Sequence, residues 1–244
     1  MPLHGHQEQR FFHGYYDGYC YLPLYIFCGE HLLCARLRPA NQDAAAGCVE
    51  EVQCLVAQIR QAWPKVQVIL RGDSGFCRDA LMSWCESNRV DYVLGLARNS
   101  RLEGSAAPWL AKARARQTAT GKPARIFGEF VYQTVSGTWS RARRVVAKAE
   151  VLGDKENPRF FVVCGDLAAG AAVGPAGAVR GRLLRTGRDG EPDQRAVIVV
   201  CGPGQYGDDA GKPDAVVPKL CTGGKAFPPR ASEAAHGRSV TDIC

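Results

Sequence analysis

No stretch of this 244-residue chain is apolar for the roughly 20 residues that a bilayer-spanning helix needs. Its opening carries His4, His6, Glu8 and Arg10, where a secretory leader would have an apolar run. The expectation is a cytoplasmic chain with no membrane partner. The eleven cysteines include no Cys-x-x-Cys pair, and they lack the short regular spacing of small secreted disulfide frameworks. A disulfide scaffold is excluded and a zinc site disfavoured. Cys20, Cys28, Cys34, Cys48, Cys54, Cys77 and Cys85 lie in apolar or helical contexts and read as small buried thiols. Acids are scarce in one region: from Arg98 to Lys148 there are eleven Lys or Arg, against only Glu103 and Glu129. With a net charge of +7, that balance is compatible with a polyanionic partner without establishing one.

Aromatic residues run out near Cys164. Of 21, only Tyr206 and Phe227 lie beyond it, while 14 of the 27 glycines do. A Gly-, Ala-, Pro- and Arg-rich stretch with no lasting period buries little apolar area, which predicts disorder. The expected organisation is therefore a folded part over residues 1–163, with a basic insertion at about 98–150, and a disordered tail over 164–244.

The folded part alternates strands and helices. Tyr15 to Phe27 reads as a strand, Gly29-Glu30-His31 as a turn, and Leu32 to Leu37 as the second strand of a hairpin. Between Asp43 and Trp63, apolar residues at Val49, Val52, Leu55, Val56 and Ile59 have helical spacing, and Pro64 ends the helix. Val66 to Leu70 reads as a buried strand, Arg78 to Ser87 as a helix and Tyr92 to Leu96 as a strand. This order predicts an α/β domain with a mixed sheet.

The run Val66–Leu70 leads straight into Arg71-Gly72-Asp73-Ser74-Gly75-Phe76. Asp73 would thus stand at the carboxyl edge of the sheet, where open α/β sheets place their sites. A carboxylate there can help hold a divalent metal for phosphoryl chemistry. The plainer reading is a tight turn in which Asp73 caps the next helix.

His4-Gly5-His6-Gln7-Glu8, Phe11 through Tyr19, Leu70 through Phe76, Trp84-Cys85-Glu86, Tyr92 through Asn99 and Ser140 through Val145 together resemble the group-one DDE transposases of bacterial insertion sequences. The resemblance implies a ribonuclease-H-like sheet with a β-rich insertion. It also implies two aspartates and a glutamate that bind Mg²⁺, and DNA strand transfer at terminal inverted repeats. Asp73 matches the second aspartate, giving it a catalytic and metal-binding role. In the family the first lies on a strand just before the residues matching His4-Gly5, so this chain is expected to lack it and to have an incomplete sheet. Asp17 and Glu86 offer alternative acids without a reason to choose them. The basic segment corresponds to the family's DNA-contacting insertion, with Pro108 to Gln117 as a helix and strands around Phe127, Phe130, Tyr132 and Trp139. Arg141, Arg143, Arg144 and Lys148 are its candidate phosphate contacts. The expected chain is an inactive transposase fragment, or a non-catalytic inhibitor. It would bind DNA and associate with itself or with intact transposase.

The family's glutamate stands in a run reading Glu-Asn-Arg-Ile-Lys-Glu, and no such run occurs here. Gly190 to Ala196 can nevertheless be encoded GGA GAA CCG GAT CAA AGA GCA. Read one nucleotide later, that string spells Glu-Asn-Arg-Ile-Lys-Glu. Asp208 to Val216, shifted identically, can spell another family-like run. The tail is therefore expected to be an out-of-frame translation, with Glu191 a by-product of overlapping codons.

Overall fold

The computed structural model describes residues 7–153, 155–165 and 195–202. It confirms an α/β architecture built on one mixed sheet. In chain order, a small hairpin comes first, β1 (Phe11–His13) and β2 (Gly18–Cys20). Among the described residues it pairs only with itself and stands outside the main sheet. Next come β3 (Leu24–Cys28), β4 (His31–Arg36), α1 (Cys48–Ala62), β5 (Gln67–Gly72), α2 (Asp79–Ser87) and β6 (Val90–Leu96). Then follow α3 (Ser100–Thr120), β7 (Ala124–Tyr132), β8 (Arg143–Leu152), β9 (Lys155–Glu156), β10 (Arg159–Cys164) and β11 (Arg195–Cys201). The sheet order is β4-β3-β11-β5-β6-β10-β8-β7, with β9 added to β8.

Local chemistry accounts for most of these elements. In α1 the spacing of Cys48, Val52, Val56 and Ile59 presents one buried stripe, and Glu50 and Glu51 in its first turn favour the helix dipole. The helix begins at Cys48, later than the expected Asp43, because residues 39–47 form turns held by the buried Arg38. Its guanidinium donates to the carbonyls of Leu22, Ala44 and Ala46. α3 is longer than expected and runs through Pro108. Asn99 caps it by accepting the Leu102 N–H at 3.0 Å, and Gly121, at φ 64°, ends it. The single strand expected over Tyr15–Phe27 is instead the second arm of β1–β2 followed by β3.

Strand alternation divides the core between the two sheet faces. Val68 and Leu70 of β5 face α1 and α2 in the main cluster, with Tyr92, Leu94, Met82, Leu81 and Ile198. Ile69 points the other way, among Val93, Val146 and Val163. Trp109 of α3 lies flat against β7. A Cβ on Gly128 would come within 2.0 Å of the Trp109 ring, so only glycine fits there.

One short segment departs from the disordered tail expected over 164–244. Arg195–Cys201 lies in the supposed tail, yet it forms a central strand. β11 runs antiparallel to β3 (Ile198 opposite Cys28) and parallel to β5 (Ile198 opposite Leu70). Ile198 and Val200 are buried. The physical reason is local: Val197-Ile198-Val199-Val200 is a β-branched run that fits a pleated, two-sided slot. In the sheet order β11 lies between β3 and β5. Gly190 to Gln194 and Asp208 to Val216 lie outside the described residues.

Candidate active site and basic segment

β5 ends at Gly72 and the chain turns at once, with Ser74–Phe76 forming one 3₁₀ turn. Asp73 is extended there, and its Oδ1 accepts the Gly75 N–H at 2.7 Å. Both readings of the motif meet in one residue: Asp73 stands at the carboxyl end of a central strand and also caps the following turn. Three glycines make the corner tight. A Cβ on Gly75 would lie 3.0 Å from Asp73 Oδ1, and one on Gly72 would lie 3.1 Å from Leu94 Cδ2. A Cβ on Gly95 of β6 would lie 3.0 Å from the Ser74 nitrogen and 3.2 Å from the Asp73 carbonyl carbon. Backbone has no rotamer with which to yield, so Gly95 sets how closely β6 supports the Asp73 turn.

Two neighbours sense the Asp73 charge. Val200 of β11 lies opposite Gly72, which brings Cys201 to the end of its strand beside Asp73. Burial, then the Asp73 carboxylate, pushes the Cys201 thiol up. Tyr16, in the turn of β1–β2, has its hydroxyl raised by partial burial first, then by Tyr15, Cys20 and Asp73. Among the described residues no three acidic, His or Cys side chains converge to hold a metal ion. A pair of Mg²⁺ ions asks for several carboxylate oxygens. Here one carboxylate, with one oxygen already accepting a backbone N–H, stands beside a thiol, a poor ligand for so hard an ion. The described donor set does not fit two-metal chemistry.

The model of the family "Transposase DDE domain group 1" matches residues 1–173. This chain belongs to the group-one DDE transposases. No curated protein and no solved structure matches it. The family is one of DNA transposition enzymes, and members generally use a divalent metal. The match spans β1 to β10 with α1 to α3 and stops short of β11.

In this DDE-family chain the four candidate phosphate contacts all meet carboxylates of the protein itself. Arg143 is the most enclosed, its side chain 3% exposed. It donates from Nη1 to Asp79 Oδ1 at 2.6 Å, from Nε to Glu86 Oε1 at 2.8 Å, and from Nη2 to Ser83 Oγ at 3.0 Å. Its guanidinium also lies 5.7 Å from the centre of the Trp139 ring. Arg141 donates to the same Glu86, and Tyr92 Oη donates to Glu86 at 2.7 Å. Arg144 makes a two-pronged pair with Glu129, at 2.7 and 2.9 Å. Lys148 is buried against Glu150 at 2.8 Å, and Arg125 donates to the same carboxylate. Arg141 and Arg144 keep solvent-facing area; Arg143 and Lys148 keep little.

The alternative acids are also accounted for. Asp17 sits in the exposed hairpin turn at φ 45°, a surface position as expected. Glu86 is committed to Arg143, Arg141 and Tyr92. Burial alone would raise its pKa, but those hydrogen bonds outweigh it and hold the carboxyl below the usual range. Asp79, opposed by burial and favoured by Arg143 and Ser140, is held low in the same way. Of the seven cysteines expected to be buried, Cys48, Cys77 and Cys85 are, with Cys48 and Cys77 pushed up to about 12 by burial, whereas Cys20, Cys28, Cys34 and Cys54 are only part-buried.

Sequence reasoning missed three features: the Arg143 cluster, the support from Gly95 and the exposed aromatic hairpin. Gly95, within β6 near its end, carried a usable signal, since glycine inside a strand marks close backbone approach.

Proposed function

We propose that this chain binds the terminal inverted repeats of an insertion sequence and does not cut or join them. The observation that supports this is the donor set at Asp73: this residue, which by resemblance matches the family's second aspartate, stands at the end of β5, and among the described residues no three His, Cys, Asp or Glu side chains converge to hold a metal ion. One carboxylate binds Mg²⁺ weakly, so strand transfer fails while phosphate binding survives. Asp73 is the residue that would hold the metal in this proposal.

DNA contact falls to cations with area to spare. Arg141 and Arg144 remain from the original four. Exposed Lys112, Arg116 and Lys122, on or just beyond α3, extend the basic surface. Removing a cation that neutralises one phosphate flattens the salt dependence of binding by about one unit of slope. Replacing Arg141 and Arg144 by alanine should therefore remove about two units, and adding Arg143→Met should remove no more. The deciding experiment incubates the purified chain with inverted-repeat DNA and Mg²⁺ or Mn²⁺, and follows binding and strand joining separately. Binding without joining is expected. Metal-dependent joining that Asp73→Asn abolishes would overturn the reading.

The residues after about 163 are part of the same proposal: an out-of-frame translation of a family gene. Its support is the double recovery of family-like runs at one reading offset, together with the change of composition. That β11 forms a strand is no obstacle, because a β-branched run pairs wherever it finds a slot. The gene decides: codons for Gly190 to Ala196 and Asp208 to Val216 that cannot spell those runs would refute it. A chain that binds DNA without joining it would also suit an inhibitor acting on intact transposase, and mixed transposition assays would detect that.

A further inference from the structure

The hairpin β1–β2 is short, lies outside the main sheet, and shows its aromatic side chains to solvent. Phe11, Phe12, Tyr15, Tyr16 and Tyr19 are 39–84% exposed. From Arg10 to Cys20 there is no Leu, Ile, Val or Met, so the hairpin offers flat rings and a guanidinium, the groups on which unpaired bases stack. The rings are arranged among themselves. Phe12 meets Tyr19 edge-on at 5.8 Å, and Tyr15 meets Tyr16 edge-on at 5.0 Å. The Arg10 guanidinium lies 5.0 Å from the centre of the Tyr19 ring. His13 Nδ1 is enclosed and has no hydrogen-bond partner among the described residues, a polar atom that normally finds one. The hairpin is also close enough to Asp73 for that carboxylate to act on Tyr16.

We propose that β1–β2 is a stacking platform for unpaired bases of the DNA strand that passes Asp73. This rests on the DNA-binding reading above and names the substrate feature it recognises. Flat rings take any base on its π-face, and a guanidinium beside them can stack or meet a phosphate. In intact duplex those faces are already stacked, so the platform serves only frayed, nicked or overhanging ends. Glu8 precedes the hairpin and Asp17 sits in its turn, so its attraction comes from stacking more than from net charge.

The test uses the full chain and two probes of the same inverted-repeat sequence. One is a blunt duplex, and the other carries a four-nucleotide overhang containing 2-aminopurine. Overhang binding should be at least ten-fold tighter than blunt binding, with the 2-aminopurine fluorescence quenched. Phe12→Ala and Tyr19→Leu should each lower overhang affinity about ten-fold, in line with alanine substitutions at other base-stacking sites. They should leave blunt affinity within two-fold, and Tyr19→Phe should behave as the parent. Both positions are more than half exposed, so folding is not at stake. Equal affinity for the two probes overturns the platform, as does an equal effect of the variants on both. If the variants instead abolish self-association in sedimentation, the hairpin is a protein contact and the platform is wrong. A parent chain that binds neither probe sinks the DNA-binding reading itself, a result distinguishable from the others.

Discussion

Arg143→Ala separates two roles for the basic segment. The guanidinium is enclosed, and it faces Asp79 and Glu86, whose side chains are 26% and 13% exposed. Removing one partner of a buried ion pair costs about 3–5 kcal/mol, because the other charge is stranded. Here the stranded acids keep other donors. Glu86 retains Tyr92 and Arg141, and Asp79 retains the Ser140 N–H and hydroxyl. Those donors bring the expected loss down to about 2–3 kcal/mol. For a folded part of this size that lowers Tm by roughly 4–12 °C. Urea denaturation of the parent, Arg143→Ala and the pair Arg143→Met/Glu86→Gln would measure it. The pair should recover much of the loss, since an apolar replacement of a buried ion pair is often close to neutral. Acid adds a second check. Asp79 and Glu86 have depressed folded pKa values. Their stabilisation is thus complete above the unfolded carboxylate values, about 3.9 and 4.3, and is lost as pH falls through the lower folded ones. The parent should lose stability below about pH 4 more steeply than Arg143→Met does. A loss under about 1 kcal/mol in Arg143→Ala, coupled with a drop of one unit in the DNA salt slope, would refute the ion-pair assignment and return Arg143 to the DNA.

Other perturbations probe the rest of the fold and site. Ile198→Asp puts an unpaired charge at a fully buried position of β11 and should cost several kcal/mol; an unchanged urea midpoint would mean the strand contributes nothing. Gly95→Ala forces a methyl against the Asp73–Ser74 backbone and should cost about 1–3 kcal/mol. It should also shift the Asp73 side-chain NMR signals, whereas Gly104→Ala, with open space around it, should leave them in place. Gly128→Ala has to displace the Trp109 ring, so tryptophan fluorescence should change along with stability.

Much of the framework was legible in the chain alone because its signals are local. The apolar run Val66–Leu70, closed by Gly72, marked a buried strand that delivers Asp73 to a sheet edge, and β5 does so. The stripe from Val49 to Ile59 marked α1. The motifs around Asp73 carried the family, which the match over residues 1–173 established. Tertiary structure alone decided which distant groups meet. Arg143 reaches Asp79 and Glu86 across 64 and 57 residues, and no spacing rule joins them, so the sequence could not show that its guanidinium is enclosed by the protein's own acids. Composition around Val197–Val200 spoke for disorder because averages over a long window conceal a four-residue β-branched run. The slot between β3 and β5 gives that run its place. Strand pairing is a contract between remote segments, and only the folded sheet shows both sides of it.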